Sequence, residues 1–371
     1  MSSALKHRWS VENNFLLGIT AGRWWRLLRE NRFAVDPAYW HRAAVITLAS
    51  LFNWLDARNE ERFYAEAVRG TVVERPPLFI LGHPRTGTTH LHNLVTLDPQ
   101  FGFPNVYQVT YPHSFLSTEE RRSRQFASHL PSKRLMDNVS LGADRPHEDE
   151  FALAISSLYS PMLAVNFPRH GEKYRRYLTF EGVPAEELEE WKRTMRWFVK
   201  KLTLKQRRRL VLKSPQHTAR IRLLLELFPE ACFVNIHREP YTVFSSWRYA
   251  LDKAVWFLFL QKPPAGNIDE DLLRDGKVIF DAYFDQRHLV PPGRIVDVAY
   301  EDLEARPVGV MREIYEKLGL AGFEALRPRL QAYLDTLQGY RKNLLPELAP
   351  DVKANVNREW RRAFDEWGYR A

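Results

Sequence analysis

Residues 78–89 read Leu-Phe-Ile-Leu-Gly-His-Pro-Arg-Thr-Gly-Thr-Thr. An apolar run of strand length feeds a glycine-spaced loop. A helical spacing follows through Leu91, Leu94 and Leu97, and Asp98-Pro99 ends it. Strand, loop and helix in this order can cradle a phosphate, because backbone N–H groups at a helix start point at an anion and the helix dipole adds to the attraction. Gly82 and Gly87 keep the spacing of a nucleoside-triphosphate loop, yet Thr88 stands where such a loop has its lysine. A cation comes earlier instead, at Arg85, while Thr88 and Thr89 add hydroxyl donors. The loop therefore suits a phosphate without being built for a γ-phosphate and Mg²⁺. An anionic nucleotide that reacts without a metal is expected.

The rest of the chain repeats the alternation. Apolar strands are predicted at Arg209–Lys213, Ala231–Ile236 and Arg294–Val298, with helices at His217–Phe228, from Pro240, around Val308–Leu318 and at Asp351–Trp367. Strands separated by helices predict an α/β fold: a three-layer, P-loop-like parallel sheet with flanking helices. Residues 100–208 are helical and loop-rich, and they read as a helical insertion. The expected organisation is one domain over 1–371, with an N-terminal helical extension at 1–70, a catalytic core at 77–343 and a C-terminal helix at 344–371.

The net charge of +9 favours anionic ligands or surfaces. The single cysteine, Cys232, excludes a disulfide framework and fits a reducing cytoplasm. Met1–Phe15 lack a signal-peptide pattern, and Ala43–Leu55 is too short to span a bilayer, so the chain reads as soluble or peripheral. Trp24, Trp25, Leu27 and Leu28 among Arg23, Arg26, Arg29 and Arg32 make a basic amphipathic pattern that allows peripheral membrane contact. No nucleic-acid partner and no metal-binding Cys/His cluster is expected.

A second motif is Ile236-His-Arg238-Glu-Pro, with Ser246 eight residues after the arginine. Arg238 follows a strand, where ligands gather in parallel sheets, and its planar fork suits a phosphate. The two motifs together resemble the sulfotransferase family, which uses 3′-phosphoadenylyl sulfate (PAPS) and releases adenosine 3′,5′-bisphosphate. The likeness covers most of residues 77–343, and it continues in Leu212-Lys-Ser-Pro215, Tyr300-Glu-Asp302 and Tyr340-Arg-Lys-Asn343. It implies that Arg85, Thr86, Gly87, Thr88 and Thr89 bind the 5′-phosphosulfate. Arg238 and Ser246 would bind the 3′-phosphate, and Arg341 and Lys342 would wrap it, although Asn343 stands where cytosolic members have glycine. Lys213, at a strand end as in the tyrosylprotein branch, would meet the bridging oxygen of the leaving group.

The proton acceptor is less constrained. Cytosolic members have a histidine where this chain has Pro215, and the tyrosylprotein loop glutamate has no counterpart in Phe101–Val106. The acidic stretch His147-Glu-Asp-Glu150, after Arg145-Pro146, is read as opening a helix. Glu148 is the first candidate base, Glu150 the second and His113 the third. Trp256–Leu260 reads as core; the expected acceptor is a hydroxyl, with an amine as the alternative, and the apolar segment 254–260 and the aromatic content lean toward a lipophilic alcohol. Two other functions stay open on residues alone. A P-loop kinase would need the missing lysine and an acidic metal ligand at a neighbouring strand end, where Lys213 stands. A non-catalytic basic membrane protein would leave the two phosphate motifs unexplained.

Overall fold

A computed structural model describes residues 6–131, 133–134, 136–137, 140–263, 266, 268–339 and 343–371. The chain divides into two compact units.

One unit comprises Glu74–Phe103, Arg207–Ala250 and Asn267–Ala371. Its centre is a five-stranded sheet of β1 (Leu78–Leu81), β2 (Phe101–Gly102), β3 (Arg209–Lys213), β4 (Cys232–His237) and β5 (Ile295–Ala299), in the order β2-β3-β1-β4-β5. All pairings are parallel, with Ile80 opposite Lys213 on one side and Val234 on the other. Strand residues point alternately to the two faces. Leu78, Ile80, Val234 and Val296 pack with Leu91, Leu94 and Val95 of the helix α3 (Thr88–Val95), and with Met311, Ile314 and Leu326 of two later helices. On the opposite face Phe79 stacks on Phe233 at 5.6 Å and meets His217 edge-on at 5.5 Å. The expected layers are present, and β1 sits at their centre.

Beyond one-residue shifts of β4 and β5, three elements differ from the sequence reading. β2 was missed because two residues give no period to detect. The helix expected at His217–Phe228 is a tight 3₁₀ turn, Pro215–Ala219, followed by Ile221–Leu227. The last helix breaks at Trp360, which is buried and donates its indole N–H to the Leu273 carbonyl at 2.9 Å, between Pro350–Glu359 and Arg361–Trp367.

The other unit comprises Met1–Val73, Pro104–Gln206 and Leu251–Gly266. The N-terminal extension and the insertion, read separately in the sequence, belong to this one body. Its N-terminal helices are α1 (Ala21–Glu30) and α2 (Trp40–Gly70). Lys201 and Glu60 form a buried ion pair there, and Lys201 also donates to the Pro112 carbonyl. Glu60 further accepts from Ser117 N at 2.8 Å, so its carboxylate is satisfied on both oxygens. The Trp256–Leu260 segment is buried, and Arg42 reaches into it to donate to Trp256 O at 2.8 Å and Phe259 O at 2.9 Å. That segment is core, as its pattern predicted. Among the described residues no helix is long and apolar enough to cross a membrane.

Candidate active site

The loop leaving β1 is shaped by its glycines. Gly82 has φ +146, and a Cβ there would lie 2.6 Å from the Ile236 carbonyl oxygen. Its N–H donates to Thr218 Oγ1 at 2.8 Å. Gly87, at φ +100, stands just before α3, and a Cβ on it would overlap the Tyr300 ring. Between them Thr86 donates both its N–H and its hydroxyl to His83 O, at 3.2 and 2.8 Å. Arg85 is held left-handed at φ 74. Such a backbone costs roughly 1–3 kcal/mol in a non-glycine residue and persists where its surroundings fix it.

His83 anchors the loop from within. Its ring stacks on Phe280 at 4.8 Å, meets Trp247 edge-on at 4.7 Å and lies 5.2 Å from Trp360. Burial lowers its pKa to about 3, so the imidazole is neutral at pH 7.

The second motif meets the first. Arg85 Nε donates to Ser246 Oγ at 3.1 Å. Ser246 is on the helix Pro240–Ala254, whose start is capped by Glu239: its carboxylate accepts from Tyr241 N at 2.9 Å and Thr242 N at 2.7 Å. Arg238 directly precedes that cap, and its guanidinium lies 4.2 Å from the centre of the Tyr300 ring. Tyr300 therefore touches both motifs, lying against Gly87 and under Arg238. The chain ends reinforce the same strand end: Trp367 stacks on His237 at 4.6 Å, and the Tyr369 hydroxyl is 2.9 Å from His237 Nδ1.

Lys213 closes β3, is almost fully buried, and donates to Thr89 Oγ1 at 3.4 Å in the first turn of α3. Thus Arg85, Thr88, Thr89, Lys213 and Ser246 gather around the start of α3. Two arginines, a lysine and helix N–H groups within one strand-end cluster fit a nucleotide with more than one anionic group. Arg341 and Lys342 lie outside the described residues.

In the other unit the helix opens at Glu150, four residues after Pro146, so Glu148 lies in the preceding loop rather than in a first helical turn. Backbone contacts fix that loop: His147 N–H donates to Pro104 O at 2.9 Å, and Asn105 pairs with Pro146. Glu148 is half-buried. Glu150 is wholly buried and accepts from Ser160 Oγ at 2.7 Å. His113 is a poor proton acceptor, because burial and the nearby charges of Lys201 and Arg23 lower its pKa to about 3.

Sequence reasoning gave no role to Tyr300, Thr218 or Glu239. Tyr300-Glu-Asp302 is part of the family likeness, which assigns the tyrosine no contact. Its service to Gly87 and Arg238 depends on β5 lying beside β4, which no local pattern reveals.

A family model described as "Sulfotransferase family" matches residues 76–325. A relative named omega-hydroxy-beta-dihydromenaquinone-9 sulfotransferase Stf3, from Mycobacterium bovis, is 38% identical over 355 residues, covering 95% of this chain and 90% of the relative. The protein of the same name from Mycobacterium tuberculosis matches to the same extent. Among solved structures, sulfotransferase STF9 from Mycobacterium avium superposes with a TM-score of 0.65 at 20% identity, over 92% of this chain and 89% of that one. Sulfotransferase STF1 from Mycobacterium tuberculosis gives 0.63 at 21% identity, over 96% and 90%.

Proposed function

The chain belongs to the sulfotransferase family, and from that premise we propose that PAPS is its donor and a lipophilic alcohol its acceptor. Sulfuryl transfer leaves adenosine 3′,5′-bisphosphate and a sulfate ester. The acceptor oxygen forms a bond to sulfur as the bond from sulfur to the bridging phosphate oxygen breaks, and the hydroxyl proton goes to a base. The observation that carries the reading is the meeting of Arg85, Ser246 and Lys213 at the start of α3.

Each residue has a task that its surroundings support. The loop from Arg85 to Thr89 holds the 5′-phosphosulfate by N–H groups, hydroxyls and one fixed charge. Arg238, kept in place by Tyr300 and the Glu239 cap, holds the 3′-phosphate together with Ser246. Arg341 and Lys342 are assigned to the same phosphate from sequence. Lys213 is buried, so its ammonium meets the charge growing on the bridging oxygen with little water between them. No metal is needed to neutralise that charge, in contrast to the phosphoryl-transfer enzymes whose in-line geometry the reaction shares.

Glu148 is assigned as the base. Glu150 is engaged with Ser160 in the core, and the His113 imidazole is held far below the range of an effective base. The acceptor class follows the mycobacterial relatives, named for an omega-hydroxy dihydromenaquinone. A menaquinone carrying an omega-hydroxyl is the first acceptor to offer. Incubation with PAPS and that alcohol should yield the mass increment of one sulfuryl group on the lipid. Donor turnover with a water-soluble alcohol and none with the lipid would overturn the acceptor assignment.

A further inference from the structure

α2 carries its main apolar stripe on the outward side. One side carries Ile46 and Ser50 inward, with Arg42 and Glu60 bonded beneath it. The other carries Leu48, Leu51, Phe52 and Leu55, at the i, i+3, i+4, i+7 spacing of a single helical stripe, and each is between 49% and 68% exposed. Isolated exposed leucines are ordinary, but four on one stripe mark a contact surface.

The border of the stripe decides what it contacts. Trp40 precedes it on α2 and is 62% exposed, and Trp54 stands at its edge. Trp9, 71% exposed, lies beside His41 at the start of α2, with ring centres 5.3 Å apart. Arginines accompany these rings: Arg8 is 4.4 Å from the Trp9 ring and Arg58 is 5.2 Å from the Trp54 ring. Arg62 follows Arg58 one turn on, and both are exposed; of the four acids on this stretch Asp56 pairs with Arg122 and Glu60 with Lys201, while Glu61 and Glu66 are exposed. An aliphatic centre, tryptophans at the rim and arginines beyond them match the layers of a bilayer interface: acyl chains, the carbonyl and headgroup zone, then phosphates.

We propose that this face of α2 docks on an anionic lipid bilayer, with Leu48, Leu51, Phe52 and Leu55 in the acyl boundary and Arg58 and Arg62 on lipid phosphates. This moves the membrane contact away from the basic pattern at Arg23–Arg32, because Trp24 and Leu27 of α1 are buried and Trp24 donates to Thr47 of α2 at 2.8 Å. A second copy of the chain would bring the same cations to the contact, whereas an anionic surface complements them. The inference rests on the lipid-acceptor reading for its purpose, since a membrane-resident alcohol is met at the bilayer. It does not rest on that reading for the binding itself.

The test is sedimentation of the full chain with vesicles of phosphatidylcholine and phosphatidylglycerol, without quinone or nucleotide. The wild type should pellet with the vesicles. The double variant Leu51→Glu, Phe52→Glu should lose affinity by about tenfold or more. Arg58→Glu with Arg62→Glu should lose the preference for phosphatidylglycerol over pure phosphatidylcholine and flatten the salt dependence. All four positions are exposed, so adenosine 3′,5′-bisphosphate affinity should stay at the wild-type value and report an intact fold. Wild type that stays in the supernatant overturns the proposal, as do variants that bind like wild type. A wild-type dimer in vesicle-free buffer that Leu51→Glu, Phe52→Glu makes monomeric also overturns it, by placing a second copy on this face. Vesicle binding without sulfation of the lipid alcohol supports the docking surface and removes only the acceptor assignment.

Discussion

In the loop at 82–89 the turn of the backbone is written in neighbouring residues. Gly82 and Gly87 have positive φ, Thr86 closes a turn on His83, and α3 begins at once. In the acidic stretch 147–150 nothing local sets the order of importance. Glu148 and Glu150 differ by two positions, yet one is half-buried in a loop and the other is sealed in the core against Ser160. A motif whose function is performed by backbone geometry is specified by its own sequence, because glycine placement and helix start fix N–H directions. A motif whose function is performed by one side chain depends on distant packing.

That contrast breaks most readily at the base. Glu148→Gln keeps shape and loses proton acceptance, so turnover should fall by roughly 10²–10⁴ while the donor still binds. Steady-state kinetics alongside a nucleotide titration reads both. An active Glu148→Gln beside a dead Glu150→Gln would reverse the order that burial assigns to the two glutamates.

On the loop side, Lys213→Ala should lower turnover by roughly 10²–10³, the scale of removing one donor aimed at developing charge. Its effect on donor affinity should be much smaller, because the charge it meets grows in the transition state. Unchanged turnover with weakened donor binding would make Lys213 a binding residue only.

The smallest effect concerns His83 and appears in acid. The unfolded chain takes a proton on this imidazole near its ordinary pKa of 6.5, and the folded chain only near 3. The unfolded state thus binds more protons across that window, so stability is fully present above pH 6.5 and declines as pH falls toward 3. Denaturant midpoints measured from pH 7 to 4 should fall less steeply in His83→Asn than in the wild type. Equal slopes would mean that the aromatic enclosure of His83 does not control its charge.

The layers, four of the strands and the two motifs that meet at the start of α3 are legible because strands and loops leave short-range signatures. What stayed hidden needed distant residues. Phe101–Gly102 pairs only because β3 lies beside it, with Phe101 opposite Arg209, 108 positions on. Thr218 reaches Gly82 N from a tight turn that the sequence reading drew as regular helix. The inward side of α2 is unreadable for a different reason: it carries Arg42, Ser50 and Glu60 while the apolar stripe faces outward, so periodicity points to the wrong side.

The proposed donor has two separate anionic ends, one assigned to the loop and one to Arg238. Calorimetric titration of the wild type with adenosine 3′,5′-bisphosphate and with adenosine 5′-monophosphate tests it most directly. The bisphosphate should bind more tightly by roughly 1.5–3 kcal/mol, the contribution of a charge-assisted hydrogen bond to the 3′-phosphate, and Arg238→Ala should erase most of that difference. Equal affinity of the wild type for the two nucleotides would contradict the assignment.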